Sequence, residues 1–160
     1  MIVVSNTSPL IALSAIDRLD LLRDLYSGIL IPEAVRQEAV GAGLGRPGSE
    51  IQISDWVAVR SVEGEFLPRA LAVELGRGET EAIALAVESR ADLLLIDERR
   101  GRKVASRFGV RVLGVLGVLI EAKKTGLIPK VGPLLEELLT KAGFRISAAL
   151  RQRAVEEAGE

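Results

Sequence analysis

Three short apolar runs constrain the fold most: Ile2-Val3-Val4, Ile29-Leu30-Ile31 and Leu93-Leu94-Leu95-Ile96. Each is too short for a core helix and shows no polar alternation. A strand buried on both faces, as in a parallel sheet, needs that pattern. Trp56 to Val59 and Val110 to Leu113 read as two further strands. Between them the apolar spacing turns helical. It does so from Leu10 to Leu25 with a break near Asp17, from Pro32 to Val40, from Glu65 to Leu75, from Glu79 to Ser89 and from Arg99 to Phe108. Gly76-Arg77-Gly78 reads as a stop between two of these helices, and Gly41 to Gly48 as an exposed, mobile loop. Strands alternating with helices predict a three-layer α/β/α fold around a parallel sheet of about five strands. Residues 1–125 form this α/β domain. Residues 126–160, with helices at Val131 to Lys141 and Ser147 to Ala158, read as a helical C-terminal extension packing on it.

Composition narrows the chemistry. The 160 residues are 48% hydrophobic, enough for a real core. They include no His and no Cys. That excludes Ser-His-Asp and Cys-His catalysis, disulfides, iron–sulfur clusters and thiolate or imidazole zinc sites. Carboxylates, hydroxyls, amines and guanidinium groups remain. The electrophile that suits them is a hard, oxygen-liganded cation such as Mg²⁺ or Mn²⁺. The formal net charge is −1, so a polyanionic partner would have to meet a local patch. No apolar stretch approaches a membrane span, and the first residues lack the pattern of a signal peptide. A soluble cytoplasmic protein without a membrane partner is expected.

In a parallel α/β sheet, ligands bind beyond the carboxyl ends of the strands. Asn6, the sole Asn of the chain, follows the first strand, and Asp97-Glu98 follow the fourth. Glu79 and Glu81 open the helix leading into that fourth strand, and Glu38 lies on the helix after the second. Each has a structural use as well. Asn6 and Asp97 can cap helices, Glu79 and Glu81 can interact with a helix dipole, and Glu38 can be a solvated acid. Glu79 and Glu81 are two apart on a helix and point in different directions, so they do not share one role. Carboxylates gathered at one sheet edge repel, and a divalent cation relieves that repulsion. One or two such ions could activate water for attack on a phosphodiester.

Next to these acids begins a basic run, Arg99, Arg100, Arg102 and Lys103, followed by Arg107 and Arg111, with no acid among residues 99 to 111. It can hold a nucleic-acid backbone or be a solvated helix face. Aromatic residues are only 3%, so base stacking cannot be the main source of affinity.

The blocks Val3 to Ile11, Gly78 to Ala86 and Leu94 to Arg102, with the tail Gly114 to Leu119 and Ala122 to Pro129, resemble the PIN-domain superfamily. The resemblance is closest to its branch related to VapC toxins and covers nearly the whole chain. It implies a Mg²⁺- or Mn²⁺-dependent endoribonuclease, a homodimer and, for toxin members, a small antitoxin protein. It places Asn6, Glu38, Glu79 and Asp97 at the metal, with Glu81 and Glu98 as rivals. Ser8 falls where a small hydroxyl residue orients the site, and Arg99, Arg100, Arg102 and Lys103 fall where RNA would run. Asn6 stands where the superfamily usually has Asp, keeping an oxygen but losing a charge. A catalytically weakened RNA- or protein-binding module is therefore the alternative reading, and a DNA nuclease a third.

Overall fold

The computed structural model describes residues 1–43 and 45–160. In chain order they form β1 (Val3–Ser5), α1 (Thr7–Ala15), α2 (Asp20–Tyr26), β2 (Ile29–Ile31) and α3 (Glu33–Val40). A 3-10 turn (Ser49–Ile53), β3 (Val57–Val59), α4 (Phe66–Leu71), α5 (Arg77–Glu88) and β4 (Leu93–Leu95) follow. The chain continues through α6 (Arg99–Arg107), β5 (Val112–Leu113), α7 (Val115–Lys124), α8 (Gly132–Lys141) and α9 (Ala148–Glu157).

The five strands make one sheet in the order β3-β2-β1-β4-β5, and every pairing is parallel. The three-layer α/β/α architecture is thus present, with the sheet at its centre. The apolar runs lie where their composition requires. Val3, Val4, Leu93, Leu94, Leu95 and Ile96 are all essentially inaccessible to water. Burying each large aliphatic side chain contributes about 1.5–3 kcal/mol. The order sets β1 beside β4 in the middle, with Ser5 opposite Leu95. Asn6 N–H then donates to Leu95 O at 2.8 Å and carries the ladder one residue past β1. The residues following both strands therefore emerge side by side.

Several expectations need correction. Gly76-Arg77-Gly78 starts α5 rather than separating two helices, with Gly76 at its N-cap. The preceding helix is shorter than Glu65 to Leu75 because α4 ends at Leu71. α5 is also more deeply buried than a one-sided helix: Ala82, Ile83, Ala84, Leu85 and Ala86 are all inside. It packs against α3, α4, β1 and β4. The break near Asp17 is real, and Asp17 takes a left-handed conformation with φ 55°.

The loop expected at Gly41 to Gly48 includes Leu44, which lies outside the described residues. Its far end is anchored rather than exposed. Gly48 is buried, its N–H donates to Ser14 Oγ at 2.7 Å, and Ser14 Oγ in turn donates to Glu50 Oε1.

The C-terminal segment joins the same hydrophobic core through Val131, Leu135, Leu138 and Ala154. A polar clasp ties it down. The Glu160 carboxylate accepts from Val131 N–H at 2.6 Å, Gly132 N–H at 3.1 Å and Lys123 Nζ at 3.0 Å. Those two N–H groups hold its carboxyl down at about 2, with Lys123 adding to the effect. Among the described residues, no helix is long and apolar enough to cross a membrane.

Candidate active site at the edge of β1 and β4

Asn6 occupies the N-cap position of α1, but its side chain makes no cap bond. The residue is 3% exposed, and Oδ1 is buried without a hydrogen-bond partner. Capping therefore does not explain it. The next residue, Thr7, donates its hydroxyl to Glu38 Oε2. This contact brings α3 to the end of β1.

Glu79 is in the first turn of α5, and its Oε2 is likewise buried and unpartnered. Burial pushes the Glu79 carboxyl above its ordinary range. Glu98, within hydrogen-bonding reach, and Glu38 push it further. Three acids thus gather around the start of α5.

Asp97 follows β4 and does not cap the helix beginning at Arg99. Its Oδ1 accepts from Val115 N–H at 2.8 Å, at the start of α7. Its Oδ2 is buried and unpartnered. Burial raises the Asp97 carboxyl, while Val115 N–H and the Arg102 guanidinium pull the other way.

Sequence reasoning missed three glycines that make room for these carboxylates. A Cβ on Gly78 would lie 2.7 Å from Glu38 Oε1, and one on Gly101 would lie 2.7 Å from Glu79 Oε2. A Cβ on Gly114 would lie 2.8 Å from Asp97 Oδ1. The available signal was their position: Gly78 and Gly101 sit inside the first turns of helices, where glycine costs about 1 kcal/mol relative to alanine.

The rival acids separate by geometry. Glu81 turns to another side of α5, where its carboxylate accepts from Ala34 N–H at 3.2 Å and Arg77 Nε at 3.0 Å. It serves the start of α3. Glu98 is exposed at the rim beside Glu79. Ser8 is exposed, and the hydroxyl that meets an acid of the site is that of Thr7. Of the four basic residues, Arg99 and Arg102 line a groove together with Asp97 and Glu98. Arg100 lies 4.0 Å from Glu74 instead, and Lys103 is exposed outside the groove.

Among the described residues, no three acids converge tightly enough to form a ready-made cation cage. The donor chemistry still fits a hard cation. Among the described residues four buried side-chain oxygens lack partners: Asn6 Oδ1, Thr80 Oγ1, and Glu79 Oε2 and Asp97 Oδ2, the last two on carboxylates raised by burial. Unsatisfied buried acceptors are costly, at about 1–3 kcal/mol each and more when charged. Mg²⁺ keeps several waters and is commonly held by only one or two carboxylates, so it does not require a closed cage.

A parallel α/β sheet with acids and an amide beyond the carboxyl ends of its central strands suits a nuclease-type fold. The chain belongs to the PIN-domain family, whose model matches residues 2–160. No curated protein matches it. Among solved structures it is similar to a PilT N-terminus domain protein from the hyperthermophilic archaeon Sulfolobus solfataricus P2. The two are 20% identical, with a TM-score of 0.59 over 76% of this chain and 93% of the other.

Proposed function

We propose that this protein is a divalent-cation-dependent endoribonuclease that hydrolyses RNA phosphodiesters, with Mg²⁺ or Mn²⁺ as cofactor. The observation that carries the reading is that three of the four buried, unpartnered side-chain oxygens among the described residues, Asn6 Oδ1, Glu79 Oε2 and Asp97 Oδ2, are the amide and acids that follow β1, open α5 and follow β4. In this reading Glu79, Asp97 and Glu38 hold the cation with Asn6 as a neutral ligand, and Glu98 stands by at the rim. Glu79 is preferred to Glu81 because Glu81 already serves Ala34 and Arg77. Once bound, the cation supplies charge stabilisation and a lowered pKa for water.

The chain's own groups do the positioning. Thr7 orients the Glu38 carboxylate. Val115 N–H fixes one oxygen of Asp97 and leaves the other for a ligand. Arg102, beside Asp97, offers positive charge where a phosphate would approach. The roles of toxin and homodimer, the small antitoxin partner and the cytoplasmic location rest on the sequence resemblance alone.

A second reading is a non-catalytic binding module for RNA or protein. It is favoured by the neutral amide of Asn6 at a position where the superfamily usually carries charge. Incubation of mixed-sequence single-stranded RNA with Mn²⁺, with Asp97→Asn prepared in parallel, separates the two. Cleavage by the wild type alone supports the nuclease. Cleavage by neither protein supports the binding module, and cleavage by both refutes the assignment of Asp97.

A further inference from the structure

A groove of about 750 Å³ begins at Asp97 and Glu98 and is walled on its far side by the C-terminal segment. That volume is within the ~300–1,000 Å³ usual for ligand sites. Arg99 and Arg102 stand on the near wall, three apart on one face of α6. Phe144 and Arg145, between α8 and α9, and Arg153 on α9 stand on the far wall. The floor between them is apolar and comes from β5 and α7, with Leu113, Leu116 and Ile120.

Charge decides what such a groove suits. Two further cations there already have acids in reach: Arg111 is 3.7 Å from Glu121, and Lys124 is 3.8 Å from Glu157. Arg99, Arg102, Arg145 and Arg153 have no acid within 4.0 Å among the described residues. Arg102 faces Asp97, but Arg99, Arg145 and Arg153 add positive charge along the groove beyond its own ion pairs, in a chain whose formal net charge is −1. Arginine forks match phosphate oxygens. An apolar floor with one aromatic ring suits unpaired bases better than the polar exterior of a duplex.

We propose that this groove seats a single RNA strand leading away from the acids, and that the C-terminal extension is part of the substrate site. Arg145 and Arg153 are its phosphate contacts. The proposal rests on the nuclease reading for the identity of the strand, and binding can be measured without cleavage.

The test uses a fluorescein-labelled, mixed-sequence single-stranded RNA, followed by anisotropy in EDTA across a salt series. Three proteins are compared: the wild type, Arg145→Ala/Arg153→Ala, and the control Arg60→Ala/Lys130→Ala, which removes the same charge outside the groove. The groove variant should bind about tenfold more weakly, and its slope of log affinity against log salt should fall by about 1.4, at ~0.7 per phosphate contact on a single strand. The control should stay near the wild type. Both groove arginines are exposed and without ion partners, so equal thermal melts are expected for all three. Unchanged affinity and slope in the groove variant overturn the proposal. So does equal weakening in the control, or a wild type that binds no RNA. The parent reading is judged separately with Mn²⁺. Groove-dependent binding without wild-type cleavage refutes the nuclease and leaves the groove standing. Cleavage with KM unchanged in the groove variant does the reverse.

Discussion

Gly114→Ala sets two effects against each other at the start of α7. The backbone there, φ −94° and ψ 178°, is open to alanine. Reduced freedom of the unfolded chain would then stabilise the variant by ~0.4–1 kcal/mol. Against this, the new Cβ would lie 2.8 Å from both Asp97 Oδ1 and Arg102 Nη1. Arg102 is long and can swing aside cheaply. Asp97 is short, lies just past β4 after the buried Ile96 and is tied to Val115 N–H, so it moves only by giving up that bond. A hydrogen bond to a charged group contributes ~1.5–3 kcal/mol, which exceeds the gain. The variant should therefore be less stable by about 1–2 kcal/mol, read as a lower urea midpoint at unchanged slope. At roughly 2–4 °C per kcal/mol for a chain of this size, the melting temperature should fall by several degrees. Asp97→Asn is the comparison. Its amide oxygen can still accept from Val115, and it removes a buried carboxylate, so it should be no less stable than the wild type. If the proposed cation site is correct, Mn²⁺ should raise the melting temperature of the wild type, and both variants should lose that rise. A Gly114→Ala protein as stable as the wild type, with its Mn²⁺ response intact, would refute the tight packing of this carboxylate.

Asn6→Asp should lower metal-free stability by about 1–3 kcal/mol or more, because it adds a charge at an already orphaned, buried position beside the end of β4. It should also enlarge the Mn²⁺-induced rise in melting temperature. Equal melts in EDTA for the variant and the wild type would contradict the dry, unpartnered burial of this position. Glu160 gives a pH signature of opposite origin. Its folded carboxyl is depressed to about 2 from an ordinary 4.5, so its stabilising effect is complete above pH 4.5 and is lost as pH falls toward 2. Wild type and Glu160→Gln should therefore differ in melting temperature at pH 6 and converge below pH 4.5. A gap constant across that range would show that the clasp does not act through charge.

The central strands were legible because burial on both faces demands unbroken apolar residues, and Leu93 to Ile96 has nothing else. Asn6 and Asp97 were legible as an amide and an acid placed just beyond such strands. The lateral order β3-β2-β1-β4-β5 was not, since no local pattern states which strands pair. Gly76-Arg77-Gly78 misled because local propensity treats paired glycines as a helix stop. Here Gly78 is spent on the approach of Glu38, and Gly76 caps α5. Val110 and Arg111 read as strand by their β-branched neighbourhood, yet β5 is only Val112–Leu113. The far wall of the groove was also hidden, because it is made by packing residues 144–153 against α7, which no sequence window spans.

The pairing of β1 with β4 also has a consequence in time. Val3 meets Leu93, so the edge that carries Asn6 and Asp97 forms only when the two ends of a very long loop close. Closure of such distant contacts is slow relative to helix formation. A chain still emerging from the ribosome therefore has its first helices long before it has this site. The groove comes later still, because Phe144, Arg145 and Arg153 of its far wall lie well beyond β4 in the chain. A product that stops before β4 therefore holds Asn6 without its counterpart.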